Sequence, residues 1–213
     1  MLTADLAINR LLSVHGIQPD MVAGHSLGEY AALMVSGILS FEDAMRAAAA
    51  RGTEMGAVDV PDKGLMAAVG APAETVEKLL GTVDGYVIAA NRNSPKSTVI
   101  AGETKAVQDA MKILSEEGAS VIQLQTSHAF HTDIVSPANE PLKRFLNSIE
   151  LSQPKIPITA NVDGSFYPMD SENPQQSVLE KLAPQMSSPV NWIDQIETMR
   201  DSGAKIFLEV GPK

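Results

Sequence analysis

Cysteine is absent from the 213-residue chain, which excludes a disulfide frame, a thiolate metal site and a cysteine nucleophile. Positive charge is scarce: 16 Lys and Arg stand against 26 Asp and Glu, for a net charge of −10. No basic cluster stands out to neutralise a phosphate backbone, so nucleic acid is not expected as a partner. Long apolar runs are missing too, and the opening "MLTADLAINR" lacks a basic segment followed by an apolar core. Neither a membrane span nor a leader is therefore expected. What is there, 44% hydrophobic and 20% charged residues, suits a medium-sized globular protein with a smaller inserted unit, expected to be soluble and cytoplasmic. No internal repeat or low-complexity tract interrupts it.

Along the chain, helical and extended patterns alternate. Ala4, Ile8, Leu11 and Leu12 share helical spacing up to Gly16, and "MVAG" reads as a short buried strand. "EYAALMVSG" suits a helix, and Ser40 with Asp43 resembles a capping box that opens a second one through "FEDAMRAAAARGTEM". From residue 63 the rhythm changes. "GLMAAVG", "APAETVEKLLG", "YVIAAN", "STVIAG", "ETKAVQDAMKILSEEG" and "ASVIQLQ" give the order β-α-β-β-α-β, the ferredoxin-like split unit. Residues 63–127 are thus expected to form an inserted subdomain, with 1–62 and 128–213 making up the main α/β layer. In that layer "IPITANV" and "KIFLEV" read as strands, "DGSFYPMDSENP" as a polar loop, and residues 178–182 and 192–199 as helices.

Between "MVAG" and the following helix lies Gly24-His25-Ser26-Leu27-Gly28. A G-x-S-x-G sequence gains meaning when it joins a strand to a helix, because the sharp turn lifts the serine hydroxyl clear of the sheet. Ser26 is then a nucleophile, and the amide of Leu27 at the helix start can face a developing oxyanion. The plainer alternative is a serine helix cap between two glycines.

A serine nucleophile needs a base, and the histidines are His15, His25, His128 and His131. His15 closes a helix beside Gly16, and the His25 side chain should diverge from its neighbour. His128 and His131 lie on a segment able to swing back over the sheet. A metal site on this H-x-x-H pair would need further ligands, which the sequence does not supply at sensible spacing, so no metal is expected. Arg51 is out of place on a helical face shared with Ala44, Ala48 and Met55. It either snorkels to the edge or pairs with a carboxylate, or it holds a planar fork for an anionic substrate.

Taken in order, "GHSLGEYAAL", the "RG" after an alanine-rich helix, "NRNSPKSTVIAG", "HAFH", "NVDG", "PVNW" and "FLEVGP" resemble the malonyl-CoA:acyl carrier protein transacylase family. That family includes the acyltransferase domains of fatty acid and polyketide synthases. The resemblance runs over essentially the whole chain and implies an α/β-hydrolase-like parallel-sheet core carrying the ferredoxin-like subdomain. It makes Ser26 the acylated nucleophile, His131 its general base, Leu27 an oxyanion donor and Arg51 the clamp on the malonyl carboxylate. A main-chain carbonyl, here that of Gln185, takes the place of an acidic triad member in orienting the histidine. His128 and Phe130 of "HAFH" match the malonyl-selecting form of a specificity tetrapeptide, with Phe130 crowding the space of a methyl branch; such a contact is worth about 1–3 kcal/mol. His25, Asn93 and Asn161 match positions near the family's site.

The implied reaction moves a malonyl group from malonyl-CoA to the phosphopantetheine thiol of an acyl carrier protein, with no bound cofactor. Other domains of a multidomain synthase are further expected partners. A family segment of "GQG" type, which supplies a second oxyanion donor, is not found in this sequence, so a shortened acyltransferase of impaired activity is expected. Two alternatives stay open: a serine esterase or thioesterase with an acid between Ser26 and the histidine, and a non-catalytic docking fragment of a synthase.

Overall fold

The computed structural model describes residues 1–212. Two layers make up the molecule, and the expected change of rhythm at residue 63 falls at the boundary between them. The first layer opens with α1 (Leu2–Val14), α2 (Gly28–Ser36) and α3 (Phe41–Gly56). The second follows as β1 (Leu65–Val69), α4 (Ala73–Leu80), β2 (Val87–Ser94), β3 (Ser97–Gly102), α5 (Thr104–Glu116) and β4 (Val121–Leu124). The chain then rejoins the first layer through a 3-10 turn (Asp133–Ala138), α6 (Asn139–Leu146), α7 (Pro174–Leu182), a second 3-10 turn (Gln185–Ser187) and α8 (Trp192–Asp201).

The second layer is an antiparallel four-stranded sheet in the order β2-β3-β1-β4. Strand periodicity sorts its side chains onto two faces. Ala67, Val69 and Ile100 point to the helices, meeting Val76 and Leu80 of α4 and Val107, Ala110 and Leu114 of α5. Met66, Val99 and Ala101 point the other way and pack on Ala129, Phe130 and Ile134. The "HAFH" segment is therefore held between the sheet and the first layer. A register shift between Ala89 and Asn91 bends β2, and the bent strand pairs with Val190 in parallel. The Arg92 amide donates to the Val190 carbonyl at 2.9 Å, and the Val190 amide to that of Ala90 at 2.8 Å.

In the first layer, Tyr30, Leu33, Leu142, Leu146, Ile158, Leu182 and Met186 form the centre of the core. The expected capping box is half formed: the Asp43 amide donates to Ser40 Oγ at 3.0 Å, but the Asp43 carboxylate accepts from the Ser40 hydroxyl, at 2.8 Å, in place of the Ser40 amide. Several expectations need correction. The expected strands "MVAG" and "IPITANV" reduce to isolated bridges, Val22 to Ile158 in parallel and Thr159 to Phe166 antiparallel, because the chain turns at Ser26 and Leu27 into α2 before a longer ladder can form. "KIFLEV" enters no ladder among the described residues and leaves Ile206, Phe207 and Leu208 exposed; apolar content makes a strand only where a neighbour completes its hydrogen bonds. The loop "DGSFYPMDSENP" is not uniformly polar in setting, since Phe166 bridges back to Thr159 and Tyr167 is wholly buried. In α1 the buried pair is Leu2 and Leu6, at i and i+4, while Ile8 and Leu11 of the anticipated face are exposed. Among the described residues no helix is long and apolar enough to cross a membrane.

Candidate active site

The turn between Val22 and α2 sets the position of Ser26. A Cβ placed on Gly24 would stand 2.1 Å from the carbonyl carbon of Gly28 and 2.3 Å from the amide of Glu29, so the helix start lies directly against this residue. At Gly28 the same addition meets nothing within 4 Å. Of the two glycines flanking Ser26, Gly24 is the one whose missing Cβ permits a close backbone approach. Ser26 itself takes φ 52°, a left-handed conformation that costs a non-glycine residue of order 1–3 kcal/mol. Asn161 holds it there. Its Oδ1 accepts the Ser26 amide at 2.7 Å, and its Nδ2 donates to the Gly24 carbonyl at 2.6 Å.

The one other non-glycine residue at positive φ among those described is His131, at 61°. The two meet: Ser26 Oγ and His131 Nε2 are 2.8 Å apart. His131 Nδ1 lies 3.1 Å from the carbonyls of both Gln185 and Ser188. Two acceptors at Nδ1 require the proton there, which leaves Nε2 with its lone pair towards the serine hydroxyl. Burial, with Arg51 nearby, pushes the imidazole pKa down to about 4. The ring is neutral at pH 7 and able to accept a proton.

Arg51, from α3, reaches the same oxygen. Its Nη2 donates to Ser26 Oγ at 3.1 Å, and its guanidinium carbon stands 5.9 Å from the centre of the Tyr30 ring. It is buried, and its Nε has no hydrogen-bond partner among the described residues. Snorkelling and a carboxylate ion pair, the two plain readings of Arg51, are both absent among the described residues. The side chain ends at the serine instead. The amide of Leu27, which precedes α2, also donates to no group among the described residues.

The remaining residues singled out in the sequence divide into two groups. His25 turns away from Ser26, as anticipated, with Nε2 2.8 Å from Asn93 Oδ1 and its ring edge-on to Trp192 at 5.5 Å. His128 does not join the serine: its Nε2 faces the Val58 carbonyl at 3.1 Å, and its ring lies 6.1 Å from that of Phe130. The two histidines of H-x-x-H thus serve different partners. Gln185 does more than offer a carbonyl. Its side-chain Nε2 donates to the Ser26 carbonyl at 2.7 Å and to Glu29 Oε2 at 2.9 Å.

Glu29 went unnoticed in the sequence, as did Tyr167 and the carbonyl of Ser188. The carboxylate of Glu29 is wholly inside, and desolvation pushes its pKa up to about 7 against the opposing hydrogen bonds of Tyr167, Gln185 and Asn161. A signal was available. A charged residue in the first turn of "GEYAALMVS", otherwise small or apolar, is the same anomaly that marked Arg51.

A left-handed serine at a helix start, a histidine held by backbone carbonyls and an arginine reaching the serine hydroxyl come together in an α/β protein. The chain belongs to the family described as "Acyl transferase domain", which matches residues 2–213. Over 217 residues it is 35% identical to the malonyl CoA-acyl carrier protein transacylase of Bacillus subtilis, covering 100% of this chain and 67% of that protein. It is 33% identical to polyketide synthase GfsA of Streptomyces halstedii, across 98% of this chain and 3% of the synthase. Among solved structures, the malonyl CoA-acyl carrier protein transacylase from Clostridium perfringens superposes with a TM-score of 0.91 at 35% identity, covering 100% of this chain and 66% of that one. The acyltransferase domain from the second module of the salinomycin polyketide synthase gives 0.85 at 33% identity, over 99% of this chain and 48% of that one. The chain thus spans about two thirds of its free-standing relatives and a small part of the synthases.

Proposed function

We propose that the chain moves a malonyl group from malonyl-CoA to the phosphopantetheine thiol of an acyl carrier protein through a malonyl-serine ester. The observation that carries this reading is the pair of groups on Ser26 Oγ, His131 Nε2 at 2.8 Å and Arg51 Nη2 at 3.1 Å. A base beside the hydroxyl is what any serine acyl transfer needs. A buried guanidinium beside it suits an acyl group that ends in a carboxylate, where charge-assisted hydrogen bonds orient the donor against the nucleophile. The names of the relatives agree with that substrate.

In the first half-reaction Ser26 Oγ attacks the thioester carbonyl as its proton passes to His131 Nε2. The amide of Leu27 donates to the tetrahedral oxyanion. The carbon–sulfur bond breaks, and His131 returns the proton to the departing coenzyme A thiol. In the second, the carrier's thiol gives its proton to His131 and attacks the ester, and Ser26 leaves reprotonated. A serine esterase would place an acid at His131 Nδ1; here two backbone carbonyls stand there, which favours transfer. Phe130 is read as the residue that crowds a methyl branch, with His128 holding the segment through Val58.

We read the first layer, 1–62 and 128–213, as an α/β-hydrolase-like core, and 63–127 as a ferredoxin-like subdomain. The turn at Ser26 supports the former. The order of elements from β1 to β4, with strand order β2-β3-β1-β4, supports the latter. Incubation with malonyl-CoA followed by intact mass spectrometry tests the function: a malonyl adduct that is lost in Ser26→Ala and discharged by a carrier protein is expected. Release of malonate without an adduct would indicate hydrolysis, and neither outcome would indicate a docking module.

A further inference from the structure

The strongest unexplained feature is a buried carboxylate that touches no reacting atom yet bonds to the residues that hold both halves of the dyad. Glu29 lies in the first turn of α2, wholly buried. Its Oε1 accepts from the Tyr167 hydroxyl at 2.7 Å and from the Asn161 amide at 3.3 Å, and its Oε2 accepts from Gln185 Nε2 at 2.9 Å. Two of these donors have a second attachment at the site. Asn161 accepts the Ser26 amide through Oδ1. Gln185 donates to the Ser26 carbonyl through Nε2 and accepts from His131 Nδ1 through its own carbonyl.

We propose that Glu29 is a positioning residue for the transfer, fixing the distance between Ser26 and His131 through Gln185, Asn161 and Tyr167. This rests on the reading of Ser26 and His131 as nucleophile and base. Three donors converge on Glu29 from two segments, the hairpin that carries Asn161 and Tyr167 and the turn at Gln185, and the ionised carboxylate, which accepts at both ends, satisfies them together. Glutamine has nearly the same shape but carries a donor at one end. Turned one way, its amide nitrogen faces Gln185 Nε2; turned the other, it faces the Asn161 amide. Either way two donors meet in a buried place, and one segment must shift. A shift of Gln185 moves the carbonyl that orients His131, whereas the acyl-binding surface by Arg51 is left in place.

A fluorophosphonate reagent reads this without requiring a malonyl substrate. Ser26 Oγ forms the bond to phosphorus, fluoride leaves, and the serine proton goes to His131. For Glu29→Gln in the full chain, the maximal labelling rate is expected to fall about ten- to hundredfold, the scale on which a 1 Å misplacement acts. The reagent concentration giving half that rate should stay unchanged. Should that variant fail to fold, Tyr167→Phe removes one donor, keeps the carboxylate, and is expected to lower the maximal rate about two- to tenfold. A folded variant that labels at the full rate, or one in which only the half-saturating concentration moves, would overturn the proposal. Loss of the fold in both variants would also overturn it, as the mark of a purely structural residue, and so would a wild-type chain inert to the reagent. A wild-type chain that labels but takes no malonyl group would defeat the malonyl reading while leaving the role of Glu29 intact.

Discussion

The backbone carbonyl of Gln185 stands 3.1 Å from Nδ1 of His131, so a neutral amide orients the imidazole where hydrolases place a carboxylate. A carboxylate would favour the imidazolium and raise its pKa. In its absence burial dominates, and the pKa lies near 4.

The first prediction concerns the pH dependence of acylation. Below its pKa the ring is protonated at Nε2 and cannot take the serine proton. Pre-steady-state loading should therefore persist through pH 5 and fall as pH drops through about 4. A limb near 6.5, the ordinary histidine value, would show that His131 is more solvated or more strongly paired than the structure places it.

Removing Arg51 separates acyl groups by charge. Arg51→Ala should slow malonyl loading about 10- to 100-fold, the range of a hydrogen bond to a charged group, and leave acetyl loading much less affected. Comparison of the two adducts by intact mass gives the ratio. Equal losses would mean that the guanidinium acts on the serine alone.

The two glycines of the turn should behave oppositely. Gly24→Ala forces a Cβ to 2.1 Å from helix backbone, so neither a fold of wild-type stability nor any loading is expected. Gly28→Ala, at the first residue of α2 with open space around it, should be neutral or stabilising by up to about 1 kcal/mol. Urea titration of both proteins reads the difference.

Stability should carry two opposed pH dependences. His131 has a lowered folded pKa, so its unfolded form binds more protons between 6.5 and about 4; this contribution is present above 6.5 and is lost as pH falls. Glu29 has a raised folded pKa, from 4.5 to about 7, so its contribution is full below 4.5 and is lost as pH rises through 7. Glu29→Gln removes only the second, and its stability relative to the wild type should be less unfavourable at pH 8 than at pH 5. Denaturant titrations at the two pH values test this; a constant difference would place the ionisation of Glu29 elsewhere.

Periodic stretches were the easiest to read from sequence. Every element from β1 to β4 lies where the alternation and spacing put it, because each is completed by partners within the same unit, β1 by β3 and β4 and β2 by β3. Ser26 and Arg51 stood out through a turn motif and a charge on an apolar face, whereas position along the chain left His128 and His131 both open as the base and the family resemblance pointed to His131. "KIFLEV" and "MVAG" were not, since a strand is defined by its partner and a single segment does not show one. Glu29 and Tyr167 escaped for a related reason. Their meaning lies in each other and in Gln185, residues more than 130 positions from Glu29, and a glutamate after "HSLG" reads just as well as an ordinary helix-start acid.

The bridge from β2 to Val190 limits modular exchange. Asn91 and Arg92 belong to the small layer by sequence, yet they are bonded to the strip that leads into Trp192 and α8. A chimaera that swaps residues 63–127 between relatives severs one side of this seam. To keep Asn93 against His25, the donor and the recipient must agree at residues 190–192 as well.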